Sequence, residues 1–182
     1  MKKRYSKCVA CLGIIFMTGF ICVGCAAKQT RKVEAKEMQV TSKDLVNGVW
    51  NSDITKTKHG SNRSPELSWE AVDGASEYAV YMVDEKAHNW LHWKASGITG
   101  TELTAGANLS ESDYVGPYPP SGTHTYVVYV YALRKHADHY AGKFDSMNKR
   151  MDQMEQEMDI AEGKSGNIIA RGILSGTYTV GQ

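Results

Sequence analysis

The sequence predicts a mainly β protein, an antiparallel β-sandwich of two sheets with one amphipathic helix in its C-terminal region. From about residue 40 to residue 133, short apolar or alternating runs are separated by clusters of Gly, Pro, Asn and Asp. This pattern is typical of antiparallel strands rather than of βαβ units. A later segment instead repeats methionine at helical spacing. We find no internal repeat, so we expect one domain.

The first 24 residues have the features of an export signal. Four basic residues at the start precede an apolar run, from Cys8 to Val23, that is too short to span a bilayer comfortably. The segment ends in Cys22-Val23-Gly24-Cys25, which resembles the cleavage box of bacterial lipoproteins. We therefore predict cleavage before Cys25, lipidation of Cys25, and an extracytoplasmic protein anchored to a membrane of a bacterial cell envelope. A plain secretory signal and an uncleaved anchor are the alternatives.

All four cysteines lie at or before position 25, namely Cys8, Cys11, Cys22 and Cys25. Their paired spacing is that of a zinc ribbon, but the surrounding residues are apolar rather than turn-forming, so we predict no metal site there. The remaining chain contains no cysteine. The exported domain therefore has no disulfide and depends on its hydrophobic core.

The segment 25–43 is polar and charged, which predicts a flexible tether between the anchor and a domain at 44–182. Removal of the leader leaves 17 basic and 20 acidic residues, a net charge of −3 with histidine neutral. This balance gives no indication of nucleic-acid binding.

Five strands are predicted, at residues 67–70, 77–84, 89–96, 124–133 and 168–180, the last interrupted at Gly172 or Gly176. Alternation in the fourth strand leaves both faces largely apolar, so both faces should be covered. His124 and Tyr126 lie at the polar end of this strand, where they should open into a cavity.

Methionine and other apolar residues recur at steps of three and four near the C-terminus: Phe144, Met147, Met151, Met154, Met158 and Ala161. This spacing predicts an amphipathic helix, with Asp145 and Lys149 as a favourable i,i+4 pair. The stripe packs on the sandwich in one interpretation. In the other, the adaptable methionine side chains form a partner-binding or dimerising face.

The loop that precedes the fourth strand combines prolines with Gly116 and predicts a pocket wall of fixed shape. Asp84 ends one apolar strand, and Trp90 and His92 share one face of another. Together with His124 and Tyr126, these side chains lie on different strands yet meet at one rim in this interpretation. The competing interpretation makes His92 a satisfied core histidine among tryptophans.

Several spaced motifs resemble the phosphatidylethanolamine-binding protein family, which includes Raf kinase inhibitor protein. They are Ser64-Pro65-Glu66-Leu67-Ser68-Trp69, Trp90-Leu91-His92-Trp93, and the Gly-Pro, Pro-Pro-x-Gly and His-x-Tyr elements within residues 114–126. The resemblance covers about residues 40–180.

This resemblance implies two packed sheets, a helix near the C-terminus and a small cavity for anions such as phosphate or a phospholipid head group. It places Asp84, His92, Gly116, His124 and Tyr126 on the family's pocket positions. With Trp90 and Pro117, which flank them in the sequence, these residues form the predicted ligand-binding set. Two imidazoles, a backbone N–H and the tyrosine hydroxyl would face the anion, and Asp84 would orient one ring. Residues 84–88 of this chain, Asp84-Glu85-Lys86-Ala87-His88, differ from the usual sequence of the family at this place. Lys86 then either favours a more highly charged ligand or points into solvent.

The leading hypothesis is a non-enzymatic protein without a cofactor that binds a small anionic or phosphorylated ligand. An alternative is an inhibitory protein that docks on an unidentified kinase or protease through the rim at residues 117–122. A third is a metal-dependent enzyme that uses Asp84, His92 and His124. Phosphate-loop, dinucleotide and serine-hydrolase motifs are absent, and His136 and His139 are assigned no role.

Overall fold

The computed structural model describes residues 31–181, so the predicted signal segment and Cys25 lie outside the described residues. The described chain is mainly β, with thirteen strands, one α-helix and two 3₁₀ turns at Ser52–Ile54 and Glu85–Ala87. The helix, α1, spans Met151–Met158. The strands are β1 (Lys36–Glu37), β2 (Val40–Thr41), β3 (Leu45–Val46), β4 (Val49–Trp50), β5 (Leu67–Trp69), β6 (Glu77–Asp84), β7 (Trp90–Ile98), β8 (Glu102–Leu103), β9 (Ser112–Tyr114), β10 (Thr123–Leu133), β11 (Ile160–Ala161), β12 (Lys164–Ser165) and β13 (Ile168–Thr179).

The largest sheet is curled and mixed, with the order β3-β4-β13-β10-β6-β7-β9 and with β1 also paired to β13. Strand β13 pairs antiparallel with β10 but parallel with β1 and β4. Smaller sheets contain β2-β5-β8 and β11-β12. The mainly β class is confirmed, whereas the predicted sandwich of two antiparallel sheets is not. The difference arises because two-residue strands near the N-terminus join the large sheet in parallel.

The long strands follow the apolar alternation of the sequence. Strand β6 has the predicted bounds, and β10 begins one residue earlier than predicted. Strand β13 is uninterrupted, so the break predicted at Gly172 or Gly176 is wrong. A Cβ atom at position 172 would lie 2.1 Å from Val40 Cγ2. The glycine therefore lets another segment pack closely on a continuous strand.

The two faces of the large sheet carry separate cores. Tyr126, Val128 and Val130 of β10 pack with Leu67 and Trp69 beneath the β2-β5-β8 sheet. The alternate side chains of β10 pack on the opposite face, against the helix. The prediction that β10 is covered on both faces is confirmed.

Helix α1 is shorter than the methionine pattern predicts. Asp145 has a left-handed φ of 49°, and the Asn148 side chain bonds Lys143 and Ser146 in a non-helical turn. Met147 is consequently 61% exposed. The pair predicted between Asp145 and Lys149 does not form, because Lys149 Nζ instead bonds Glu157.

The rest of the stripe packs as the first interpretation predicts. Met151, Met154 and Met158 are buried in the core against the large sheet. Ala161 is also buried, but it belongs to β11 rather than to the helix.

Strands β1 and β2 lie within the segment that the sequence assigned to a flexible tether. Val33, Met38 and Val40 are all buried in the two cores. The folded region therefore begins upstream of Asp44. No helix within residues 31–181 is both long and apolar enough to cross a membrane.

Candidate ligand-binding pocket

A pocket of about 230 Å³ lies at the end of the large sheet where β6 ends and β7 and β10 begin. Four polar side chains from these strands line it, namely Asp84, His92, His124 and Tyr126. Five further residues form the rest of its wall, namely Ala87, Trp90, Tyr118, Pro119 and Pro120. The sheet register explains the convergence, because Tyr126 of β10 lies opposite Asp84, and Asp84 lies opposite Trp90.

Asp84 orients His124. Its Oδ2 atom accepts a 2.6 Å hydrogen bond from His124 Nδ1, and its Oδ1 atom accepts the backbone N–H groups of Lys86 and Ala87 at 3.0 and 3.1 Å. Both carboxylate oxygens are therefore engaged, and the group is buried. The sequence-based expectation that Asp84 holds a histidine ring agrees with this contact. His124 is left with Nε2 as the ring nitrogen that lacks a hydrogen bond within residues 31–181.

His92 is aimed into the pocket by a β-bulge. Met82 lies opposite Trp93 and Val83 lies opposite Leu91, so His92 is an extra residue in β7. A bulge of this kind redirects a side chain, which simple alternation in the sequence does not reveal. His92 Nδ1 lies 2.9 Å from the Val115 carbonyl oxygen and donates to it, since a carbonyl only accepts.

Burial lowers the pKa of His92, against smaller raising effects from the Val115 carbonyl and from the charges of Asp84 and Asp145. The ring is therefore neutral near pH 7. With its proton on Nδ1, neutral His92 has a lone pair on Nε2. His92 thus accepts a hydrogen bond in its neutral form and donates one at Nε2 only when it is protonated.

Tyr126 supplies a hydroxyl group without a partner. The residue is fully buried, and its hydroxyl makes no hydrogen bond of normal geometry with any residue in the described range, although the Asp84 carboxylate lies close to it. Its ring lies edge-on to His92 at 5.3 Å and stacks on His124 at 6.4 Å. Burial, followed by the nearby Asp84 charge, raises the pKa of Tyr126, so the hydroxyl keeps its proton. An unpaired buried donor is costly and favours an acceptor that binds in the pocket.

Gly116 and Pro117 are not among the residues that line the pocket. The Gly116 N–H donates to Asn62 Oδ1 at 2.7 Å and is therefore already engaged within the protein. A Cβ atom at position 116 would lie 2.1 Å from the Ile54 carbonyl oxygen, and the Pro117 carbonyl accepts the Lys56 N–H. These residues fasten the loop to the segment around Ile54. Sequence spacing could not show this, because Asn62 lies far upstream.

Asp145 also belongs to the site, although the sequence pattern placed it in the predicted helix. Its Oδ1 atom accepts hydrogen bonds from Trp90 Nε1 at 2.9 Å and from the Tyr118 hydroxyl at 2.6 Å. The Tyr118 bond, more than any other contact, lowers the pKa of Asp145. Asp145 therefore ties two wall residues together. Nothing in the sequence pattern around Asp145 indicated that it contacts the pocket wall.

Lys86 does not line the pocket. Its side chain is exposed, and Nζ donates to the Thr123 carbonyl at 2.9 Å. The side chains considered as metal ligands, Asp84, His92 and His124, are also not arranged as a metal site. Among residues 31–181, no three His, Cys, Asp or Glu side chains are grouped so as to hold an ion.

A larger groove of about 520 Å³ lies at the opposite end of β13, beside Lys36, Arg134 and Ile168. The groove is open, and Arg134 Nε already donates to the Gly166 carbonyl. The smaller pocket is the better candidate because its polar atoms are oriented by partners yet lack contacts on the pocket side.

The described residues thus form a mainly β protein whose curled mixed sheet carries, at its strand ends, a small pocket lined by His, Asp and Tyr side chains among apolar walls. The model of the family described as phosphatidylethanolamine-binding protein matches residues 41–179. The chain belongs to this family, which confirms the resemblance seen in its motifs.

Individual relatives agree with this assignment. The chain is 29% identical over 145 residues to the UPF0098 protein of Methanothermobacter thermautotrophicus, a match that covers 69% of this chain and 88% of that protein. A putative phosphatidylethanolamine-binding protein homologue of Chlamydia trachomatis superposes with a TM-score of 0.59 at 25% identity, covering 79% and 98% of the two chains. YbcL of E. coli, described as a member of the mammalian family, shares the fold, with a TM-score of 0.58 at 22% identity and coverage of 79% and 99%.

Proposed function

We propose that this protein binds a small anionic or phosphorylated ligand in the His92/His124/Tyr126 pocket without transforming it, and that a lipid on Cys25 holds it on the extracytoplasmic side of a membrane. The observation that carries the binding proposal is the buried Tyr126 hydroxyl, which has no hydrogen bond of normal geometry within residues 31–181 and belongs to a ring that contacts both imidazoles. The pocket volume of about 230 Å³ suits a small group.

The donor and acceptor pattern restricts the ligand further. Tyr126 donates to an anionic oxygen, and His124 contributes Nε2, the ring nitrogen that its bond to Asp84 leaves without a partner in the described residues. Neutral His92 accepts instead, so it suits a ligand that carries its own acidic proton. A monoanionic phosphate or phosphomonoester has both an anionic oxygen and such a proton. Hydrogen bonds to charged groups contribute roughly 1.5–3 kcal/mol each, which gives micromolar to millimolar affinity after the cost of association.

Titration with inorganic phosphate tests the binding proposal. In NMR spectra of the purified domain, we expect the ring signals of His92 and His124 to shift with phosphate and to saturate at millimolar concentration or below. The ring of His59, which is exposed and outside the pocket, is the internal control. A saturating response limited to His59, or none at either pocket ring, would refute binding at this site.

Anchoring is tested separately. The cleavage-box sequence supports lipidation of Cys25, and metabolic labelling with a fatty acid should mark the intact chain. The variant Cys25→Ala should lose the label, whereas Cys22→Ala should keep it. Label retained in Cys25→Ala would overturn the anchoring proposal.

A further inference from the structure

The N-terminal end of the described chain is fastened to one end of the large sheet. The Arg31 guanidinium bonds the buried Asp159 carboxylate, which also accepts the N–H groups of Gly166 and Ile168 at 3.0 and 2.8 Å. Lys36 then pairs with Ala170 near the start of β13. Residues 31–36 thus run along the end of the sheet where β13 begins.

The pocket lies at the other end of the same strands. His124 is opposite Tyr178 and Tyr126 is opposite Gly176, close to the end of β13. Eight residue steps separate Ala170 from Tyr178, which corresponds to about 26 Å at 3.3 Å per residue.

The two features also lie on opposite faces of the large sheet. Val33, which follows Arg31, is buried with the helix on one face. Tyr126 belongs to the core on the other face, under the β2-β5-β8 sheet. When the helix face of the protein is turned toward a surface, the pocket face is therefore turned away from it.

The chain between the lipid and this attachment is short. Six residue steps join Cys25 to Arg31, and a fully extended chain spans at most about 3.6 Å per residue, or about 22 Å in all. This reach is less than the length of the strands alone. Turning the pocket toward the anchoring bilayer would require the tether to pass both along the sheet and around it.

We propose that the pocket faces away from the membrane that anchors the protein and takes a water-soluble phosphorylated or anionic ligand, rather than a head group of that bilayer. This inference rests on the proposed function, both the anchor at Cys25 and the anion site. The shared chemistry is a phosphate group. The orientation of the anchored protein determines whether that phosphate group comes from the bilayer or from solution.

Orientation is measured on the full lipidated chain in vesicles of phosphatidylethanolamine and phosphatidylglycerol. The chain contains no cysteine beyond Cys25, so Ser121→Cys beside the pocket and Ser165→Cys near the attachment each accept one fluorophore. Both serines are exposed. We expect strong energy transfer from the label at position 165 to acceptors on lipid head groups and several-fold weaker transfer from the label at position 121. Equal transfer, or stronger transfer from position 121, would overturn the orientation.

A longer tether provides the matched control. Twenty Gly/Ser residues inserted between Lys28 and Gln29 should remove most of the difference between the two labels, because the domain can then turn over. A difference that persists unchanged would show that the short tether does not set the orientation and would count against the inference.

Ligand source is measured by titrating inorganic phosphate into the vesicle-bound protein and into a soluble chain that begins at Ala26 and therefore lacks both the leader and the lipid. We expect dissociation constants within about twofold of each other, because head groups of the anchoring bilayer do not occupy the pocket. Apparent affinity that is more than tenfold weaker in the vesicle-bound protein would overturn the inference. Absence of any phosphate response in the soluble chain would instead refute the anion site, while the two labels would still report the orientation.

Discussion

At the scale of single residues, the pocket contains a group that destabilises the free protein. The Tyr126 hydroxyl is buried without a partner in the described chain. Removal of such a group relieves a desolvation cost of about 1–3 kcal/mol. The same hydroxyl is the donor that we assign to the ligand, so stability and binding should respond to its removal in opposite directions.

Tyr126→Phe should therefore raise the free energy of unfolding by about 1 kcal/mol and weaken phosphate binding by about tenfold. Urea unfolding and phosphate titration measure the two effects. Tyr78→Phe is the matched control, because the Tyr78 hydroxyl accepts the Val72 N–H at 3.0 Å. That variant should lose about 1 kcal/mol and keep its affinity. Loss of stability in Tyr126→Phe would show that the hydroxyl has a partner.

His92 makes stability depend on pH in a defined direction. Its pKa lies below the ordinary value of 6.5 because burial disfavours the charged ring. Between the lowered pKa and 6.5, the unfolded chain binds more protons than the folded chain. Stability is therefore complete above pH 6.5 and falls as the pH decreases through the lowered pKa.

Urea unfolding between pH 8 and pH 5 should show this loss, and His92→Asn, which does not titrate, should show a shallower slope. The asparagine amide still donates to the Val115 carbonyl. The exposed His59→Gln variant should keep the wild-type slope. Equal slopes in the wild type and His92→Asn would contradict the assignment.

At the scale of structural elements, the shape of the pocket depends on the loop that follows β9. A side chain at Gly116 would overlap the backbone of Ile54 and Thr55. The loop carries Tyr118 and Pro119 into the pocket wall, so displacement of its base should change the site as well as the stability.

Gly116→Ala should lower the free energy of unfolding by at least about 2 kcal/mol, in the range of overpacked substitutions, and weaken phosphate binding. Gly100→Ala is the control, since its nearest contact is 3.9 Å away and its φ is not left-handed. It should change stability by less than about 0.5 kcal/mol. Urea unfolding compares the two variants. Similar free energies of unfolding for both variants would show that the backbone of residues 54–56 moves aside at little cost.

The sequence predicted the elements whose signals are local and extended. The alternation of β6 and β10 is long enough to define strands, their faces and the common end at which Asp84, His124 and Tyr126 meet. The N-terminal half of the predicted helix failed because the Asn148 side chain stabilises a turn through bonds to Lys143 and Ser146. Periodicity measures apolar spacing and does not register such competition.

The site was predictable only in part for the same reason. The apolar strands and the His-x-Tyr motif indicated its polar residues, but the bulge at His92 depends on pairing between β6 and β7. The contacts of Gly116 with Asn62 and of Asp145 with Trp90 join segments about 55 residues apart. No short-range pattern encodes contacts of that kind, and strands of two residues are likewise too short to recognise.

At the scale of the whole molecule, the segment before Asp44 completes the fold rather than merely connecting it to an anchor. Strand β1 covers part of the β13 edge, and β2 supplies an outer strand of the small sheet. Val33, Met38 and Val40 are at most 7% exposed. Burial of a side chain of this size stabilises by about 1.5–3 kcal/mol, so the three together contribute about 5 kcal/mol or more.

A chain that begins at Asp44 should therefore lose a large share of a typical stability of about 5–15 kcal/mol. It also exposes the β13 edge that β1 covers, and an uncovered strand edge promotes association. A chain that begins at Arg31 keeps these contacts and the Arg31–Asp159 pair, and it serves as the control. Thermal unfolding should give a normal transition for the longer chain, and a strongly lowered transition or aggregation for the shorter one. Equal transition temperatures would show that residues 31–43 add nothing to the core, and with that result the fixed attachment that orients the pocket would also lose its basis.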